Sequence, residues 1–272
     1  MLERREASGV VWYESPLLSA AGVGHAFSTR LGGVSRGVFE SLNFGNPSDI
    51  ADRDPAEHIR ENERRLFEAS GMGGREHCRV HQVHGPAVAT VRPGGAHDSD
   101  TKADAIVSDD PGRVVSVRVA DCVPVLLASE DGKVVAAVHA GWRGVASGVA
   151  PAALKELRRL APGREVIGAI GPSIGYDAFE VGPEVVEEME RAFGGAGSLG
   201  EAAKRGRDDR WHLDLRALLG VQLERAGVVY YDTSDLCTAG TPGEFFSHRR
   251  DKGKSGRMVG AIAPRAEAQR PR

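Results

Sequence analysis

The chain has only three cysteines, Cys78, Cys122 and Cys237, in 272 residues. So sparse and odd a count excludes a disulfide-stapled scaffold. It suits a reducing cytoplasm, the expected location, and leaves each thiol free for metal or catalysis. Long apolar runs are also missing. Stretches such as Val123 to Ala128 have strand length and fall far short of a membrane span. Met1 to Glu6 is charged and no apolar h-region follows, so no targeting signal is expected. The net charge is only −3, and no basic block interleaves with aromatics, so neither nucleic acid nor membrane is an expected partner. The most basic stretch, Ser247 to Arg257, is broken by glycines and reads as a solvated loop or an anion-contacting one.

What is present is an ordinary globular balance, 41% apolar and 27% charged, in a chain long enough to bury a sizeable core. Val10 to Phe27 reads as an edge strand or hairpin. A glycine-bearing loop follows, from Ser28 to Ser35 and again from Ser41 to Gly45, where backbone can approach a ligand closely. Asp54 to Ser70 reads as a helix with Asp54 as N-cap and Pro55 at the first helical position. Arg79 to Val83 and Ala87 to Val91 flank His84-Gly85-Pro86 as strand, tight turn, strand. The valine-rich runs Val114 to Val119, Val123 to Ala128 and Val134 to Val138 read as buried strands. Helices are expected at Ala150 to Leu160, Pro183 to Phe193 and Asp214 to Ala226, with strands at Glu165 to Ile170, Val228 to Tyr231 and Met258 to Ile262. Strands both alternate with helices and pair through hairpins. The expectation is therefore an α+β fold with mixed β-sheets, one domain over 1–265 and a disordered tail over 266–272.

Three polar residues stand at the ends of valine strands beside turn chemistry: His84, Cys122 and His139. Two imidazoles and a thiolate suit Zn2+ and also Cu2+. Three ligands would leave a position open for water or substrate, as catalytic sites do. Against this, a strand-end histidine is commonly a hydrogen-bonded structural residue, a cysteine in a valine run a small core residue, and the gaps match no short zinc signature.

The surrounding blocks add information: His81-Gln82-Val83-His84-Gly85, Ala120-Asp121-Cys122-Val123-Pro124, His139-Ala140-Gly141-Trp142-Arg143-Gly144 and the Arg30 to Asn43 loop. With Ala169 to Ile174, Phe179 to Gly182, Asp235 to Thr238 and Phe246 to Arg250, they resemble the bacterial laccase-domain family over nearly the whole chain. That family was long labelled multicopper polyphenol oxidase. Its members are now read as purine nucleoside phosphorylases with adenosine deaminase activity, so the resemblance implies adenosine, inosine, guanosine and methylthioadenosine, with phosphate, as substrates. It implies metal ligation by His84, Cys122 and His139. It further implies a layered αβ sandwich shared with a bacterial toxin domain that works through a Cys–His pair.

On that footing Arg30 and Arg143 are candidates for phosphate or ribose contacts, with surface ion pairing as the alternative. Asn43 could bind base or ribose, or merely hold a turn. Asp121 could orient a ligand, serve as a base, or cap a turn. Trp142 could stack on a purine or pack under its own turn. His81 reads as structural, because residues three apart on an extended chain face opposite ways. Cys78 and Cys237 read as inert thiols.

Three chemistries compete. Nucleoside phosphorolysis with deamination fits an open zinc site, although the His-x-Glu and Pro-Cys-x-x-Cys signature of zinc deaminases is missing. A multicopper oxidase of phenols needs many histidines, typically in His-x-His pairs. The chain has nine histidines and no such pair. The third is a metal-free Cys–His hydrolase or amidase acting on cell-wall peptides.

Overall fold

The structure is a computed structural model, and it describes residues 1–47 and 50–266. Residues 267–272 of the expected tail lie outside the described residues. In chain order the first part contains β1 (Glu3–Ala7), β2 (Val10–Glu14), α1 (Pro16–Ala20), β3 (Gly24–Ser28), α2 (Ala56–Ala69) and β4 (Glu76–Arg79). The middle contains β5 (Val88–Val91), β6 (Ala105–Ser108), β7 (Arg113–Val119), β8 (Val123–Ser129), β9 (Val135–Ala140), α3 (Trp142–Ala146) and α4 (Val149–Leu160). Then follow β10 (Val166–Ile170), β11 (Glu180–Val181), α5 (Pro183–Phe193), β12 (Ala203–Arg205), β13 (Trp211–Leu213), α6 (Leu215–Arg225), β14 (Tyr230–Asp232) and β15 (Met258–Ala263).

Two six-stranded sheets result, ordered β1-β2-β3-β15-β7-β4 and β14-β10-β8-β9-β6-β5, with a small third sheet β11-β13-β12. Both large sheets are mixed: β4 runs parallel to β7, β5 to β6 and β10 to β14, while the other pairs are antiparallel. Their inner faces pack on each other. Phe27, Val117 and Ile262 of one sheet share a core with Ile106, Leu126 and Ala137 of the other. Strand alternation then sends Val125, Leu127 and Val138 outward, against Leu154, Met189 and Leu223 of α4, α5 and α6. On the opposite outer face Val114 and Ala261 meet Leu66 and Phe67 of α2. The result is an α+β layered sandwich with mixed sheets, and valines covered on both sides explain the continuous apolar runs.

The helix boundaries follow from local chemistry. Pro183 opens α5 and Gly194, at φ 119°, closes it. Asp214 caps α6 by accepting from the backbone N–H groups of Arg216 and Ala217. At α2 the expected cap is corrected. Pro55 holds the N-cap position, and the Asp54 carboxylate is buried, accepting instead from the Ser35 hydroxyl and the Asn43 amide. The expected Val10 to Phe27 hairpin is two paired strands with the short α1 between them.

The larger correction concerns His84. Its flanking strands form no hairpin, because β4 belongs to the first sheet and β5 to the second. Between them the chain crosses from sheet to sheet, with His84 at φ 61°. A second crossing joins β7 to β8 through Ala120-Asp121-Cys122, with Asp121 at φ 83°. Left-handed backbone at residues other than glycine is uncommon and here marks these two of the crossings between the sheets. No described helix is long and apolar enough to cross a membrane.

Candidate metal centre

His84 and Cys122 thus sit on the seam between the sheets, and His139 lies near the end of β9 beside them. One ligand atom from each comes within 4.8 Å of the others, the single such group among the described residues. The two imidazole rings meet edge to face with centroids 4.8 Å apart, and the Cys122 thiol lies 3.9 Å from His84 Nε2. Gly141 closes the group. A Cβ there would stand 3.0 Å from both Cys122 Sγ and His84 Cδ2, so a side chain would fill the space between the donors.

Asp104, absent from the sequence-based candidates, organises this centre. It is fully buried immediately before β6. Its Oδ1 accepts from His139 Nδ1 at 2.7 Å and from the His84 backbone N–H at 2.9 Å; its Oδ2 accepts from the Val83 and Gly85 N–H groups. A carboxylate only accepts, so His139 Nδ1 carries a proton and Nε2 is the ring nitrogen that faces the other donors. Burial lowers the His139 pKa, but Cys122 and Asp104 outweigh it and push it up to about 9, so metal binding there would displace the Nε2 proton. The same carboxylate pins the left-handed turn that carries His84. An imidazole backed by a carboxylate is the usual support of a metal-bound histidine. Burial raises the Asp104 pKa, but His139 and the Gly85 and Val83 N–H groups outweigh it and hold the carboxyl below the usual range. Burial likewise pushes the Cys122 thiol up, whereas the His139 and His84 rings draw it well below its ordinary value. The donor set, the tautomer and the space at Gly141 all fit a divalent metal.

The centre opens into a cavity of about 440 Å³. Trp142, Ile174, Phe179 and Leu215 give it an apolar wall; Gln82, Arg118, Arg143 and Arg249 supply polar groups. Asp121 lines it too, but its carboxylate is spent on the Thr238 and Ser247 hydroxyls and the Arg249 backbone N–H. It ties together the loops around the cavity. Trp142 is half-buried against the helical core, with the Arg143 guanidinium 4.3 Å above its ring. From the basic stretch, His248, Arg249, Gly253 and Arg257 reach the cavity.

Two candidates are not brought there. Arg30 donates to the carbonyls of Glu40 and Pro242 and lies over the Phe246 ring. Asn43 is fully buried; its amide donates to Asp54, and its oxygen accepts from the N–H groups of Gly45 and Arg257. Both tie the glycine-bearing loop to neighbouring segments, Arg30 to Pro242 and Phe246, and Asn43 to Asp54 and Arg257. His81 is exposed and bridges to Lys102. Cys78 is a core thiol that burial pushes up to about 11. Cys237 accepts from the Gly175 and Gly240 N–H groups.

Comparison with known proteins agrees with this architecture. The chain is 37% identical over 258 residues to a purine nucleoside phosphorylase of Deinococcus radiodurans, covering 93% of this chain and 95% of that one. It is 38% identical over 243 residues to the purine nucleoside phosphorylase YfiH of Escherichia coli, covering 89% and 93%. The crystal structure of YlmD from Geobacillus stearothermophilus superposes with a TM-score of 0.84 at 30% identity, covering 96% of this chain and 98% of that one. Residues 24–265 match the family described as multi-copper polyphenol oxidoreductase laccase, and the chain belongs to that family.

Proposed function

We propose that this chain is a purine nucleoside phosphorylase acting on adenosine, inosine, guanosine and methylthioadenosine, with adenosine deaminase activity. The observation that carries the reading is one three-donor centre at the wall of a cavity with an apolar side. The names of its relatives point the same way. His84, Cys122 and His139 would hold zinc, which when bound supplies Lewis acidity beside the substrate. Asp104 fixes the tautomer of one ligand and the loop of another. The Arg143 guanidinium, stacked on Trp142, and the Phe179 ring bring flat groups to the cavity wall, the planar contact a purine ring needs. In phosphorolysis a phosphate oxygen bonds to the anomeric carbon as its bond to the purine nitrogen breaks. The electron pair leaves with the purine, which takes up a proton.

The test is to incubate the purified protein with adenosine and phosphate and separate the products by chromatography. Adenine is expected from phosphorolysis and inosine or hypoxanthine from deamination; finding none of them overturns the reading. Metal analysis of protein purified without added copper should give about one zinc per chain, since one such centre is found. A second reading, a Cys–His hydrolase, is favoured by the depressed Cys122 thiol. It predicts that metal-stripped protein stays active and is killed by iodoacetamide on Cys122.

A further inference from the structure

Beside the first cavity lies a second, of about 500 Å³, lined by Arg53, Arg60, Arg79 and Arg118 together with His77 and Glu63. The two cavities share only Asn46 and Arg118. Arg118 is held firmly there. Its backbone N–H donates to Gln82 Oε1 and its carbonyl accepts from Gln82 Nε2, both at 2.8 Å, so an amide two residues from His84 clamps the strand that carries it. Its side chain lies against Gly45, where a Cβ would stand 3.0 Å from both Cδ and Nη1. Gly45 leaves the room the guanidinium occupies.

The other arginines at the first cavity have their forks engaged or stacked. Arg249 donates to the Glu180 carbonyl, Arg257 to those of Ser255 and Gly256, and Arg143 lies on Trp142. For the Arg118 guanidinium there is no carboxylate within ion-pair distance and no hydrogen-bond acceptor among the described residues. Glu63, the acid on this side, is taken by His77 at 3.3 Å and Arg79 at 3.5 Å. Burial pushes the Arg118 pKa down, and the Arg79 and Arg257 charges push it further. A half-buried cation among like charges is costly unless an anion completes it. A guanidinium fork matches the oxygens of a phosphoryl group.

We propose that Arg118 forms an oxyanion subsite at the junction of the two cavities, and that it takes a phosphoryl group. Its assignment to the orthophosphate consumed in phosphorolysis rests on the reading above; the anion site itself does not. Arg118 lines the cavity that holds the metal centre, and the basic second cavity gives a small anion an oppositely charged approach to it.

The test uses the full-length, metal-loaded protein, with R118Q and R118K beside wild type. Orthophosphate is titrated in chloride buffer against melting temperature and calorimetric heat, and steady-state kinetics are measured for both substrates. Wild type should be stabilised by phosphate. R118Q should lose that stabilisation and raise the KM for phosphate at least about tenfold, the loss of a bidentate charge-assisted contact. KM for nucleoside, zinc content and phosphate-independent deamination should stay within about twofold, because the fork touches none of the metal donors. R118K, which keeps charge but not the fork, should fall between, and it carries the test if R118Q does not fold.

Unchanged phosphate stabilisation and KM in both variants overturns the subsite. Phosphate binding lost in R118Q, in a protein whose wild type shows no phosphorolysis, upholds the subsite while the proposed function falls. Stabilisation by adenosine 5′-monophosphate alone, lost in R118Q, upholds the phosphoryl subsite and overturns its assignment to free phosphate.

Discussion

His139 and His84 reach the same centre from opposite kinds of structure. His139 belongs to a buried strand, only 3% exposed, with its backbone in the β8–β9 ladder. His84 is exposed, on a left-handed turn between sheets. A strand fixes a side chain through its neighbours on both sides. A crossing has no ladder, so it must borrow order from elsewhere, and it borrows from Asp104. One buried carboxylate therefore serves a rigid ligand through its ring and a loop-borne ligand through its backbone. The contrast shows that a loop ligand can be placed as firmly as a strand ligand when a single acceptor serves both.

The most damaging way to break this arrangement is to remove the shared donor between the two histidines. C122A should abolish zinc binding and lower turnover by at least about a thousandfold while the circular dichroism spectrum stays native. Retained activity would show that the centre lies elsewhere. D104A strikes both sides together. It leaves His139 Nδ1 and three N–H groups unpaired in the interior, and should cost about 3–5 kcal/mol in denaturant unfolding. D104N, the gentler change, should weaken metal affinity by about 10–100-fold, read by competition with a chromophoric chelator. An effect confined to stability would deny Asp104 its positioning role.

G141A sharpens the comparison by pressing on the loop side. The new methyl would meet Cys122 Sγ and His84 Cδ2, so zinc affinity should drop roughly tenfold with little change in fold. N43A should do the reverse. Loss of its buried amide should cost about 1–3 kcal/mol while both KM values hold, since Asn43 lines neither cavity. Stripping zinc with a chelator should change the fold least, leaving the circular dichroism spectrum native, while it removes turnover and lowers the melting temperature by the linkage a tightly held ion provides.

What could be read from the sequence depended on whether the cause was local. Valines covered on both faces announce β7 to β10, and Pro183 with Gly194 bounds α5. The edge strand β1, Glu-Arg-Arg-Glu-Ala, has no apolar pattern. It is held by pairing with β2 and by ion pairs such as Arg5 with Glu14, which only the fold brings together. The hairpin expected around His84 failed because a turn and a crossing look alike over a few residues, and the partner strands decide between them. Glycines in the Arg30 loop suggested a ligand. Gly32 and Gly33 are there because a Cβ would stand 2.3 Å from the Gly9 carbonyl and 2.1 Å from that of Ser41. Asp104 left one faint mark, an acid directly before the fully buried run Ala105 to Ser108. A carboxylate entering such a run needs partners, and those partners proved to be the site.

His84 and Cys122 are 38 residues apart, and each stands where the chain leaves one sheet for the other. No local nucleus can bring such donors together, so a complete centre presupposes the ordering of both sheets. The opposite order holds in small metal modules, where the ion drives the chain to fold. In this scaffold an ion would be seated in a fold already built, and one metal would exchange for another without unmaking the protein.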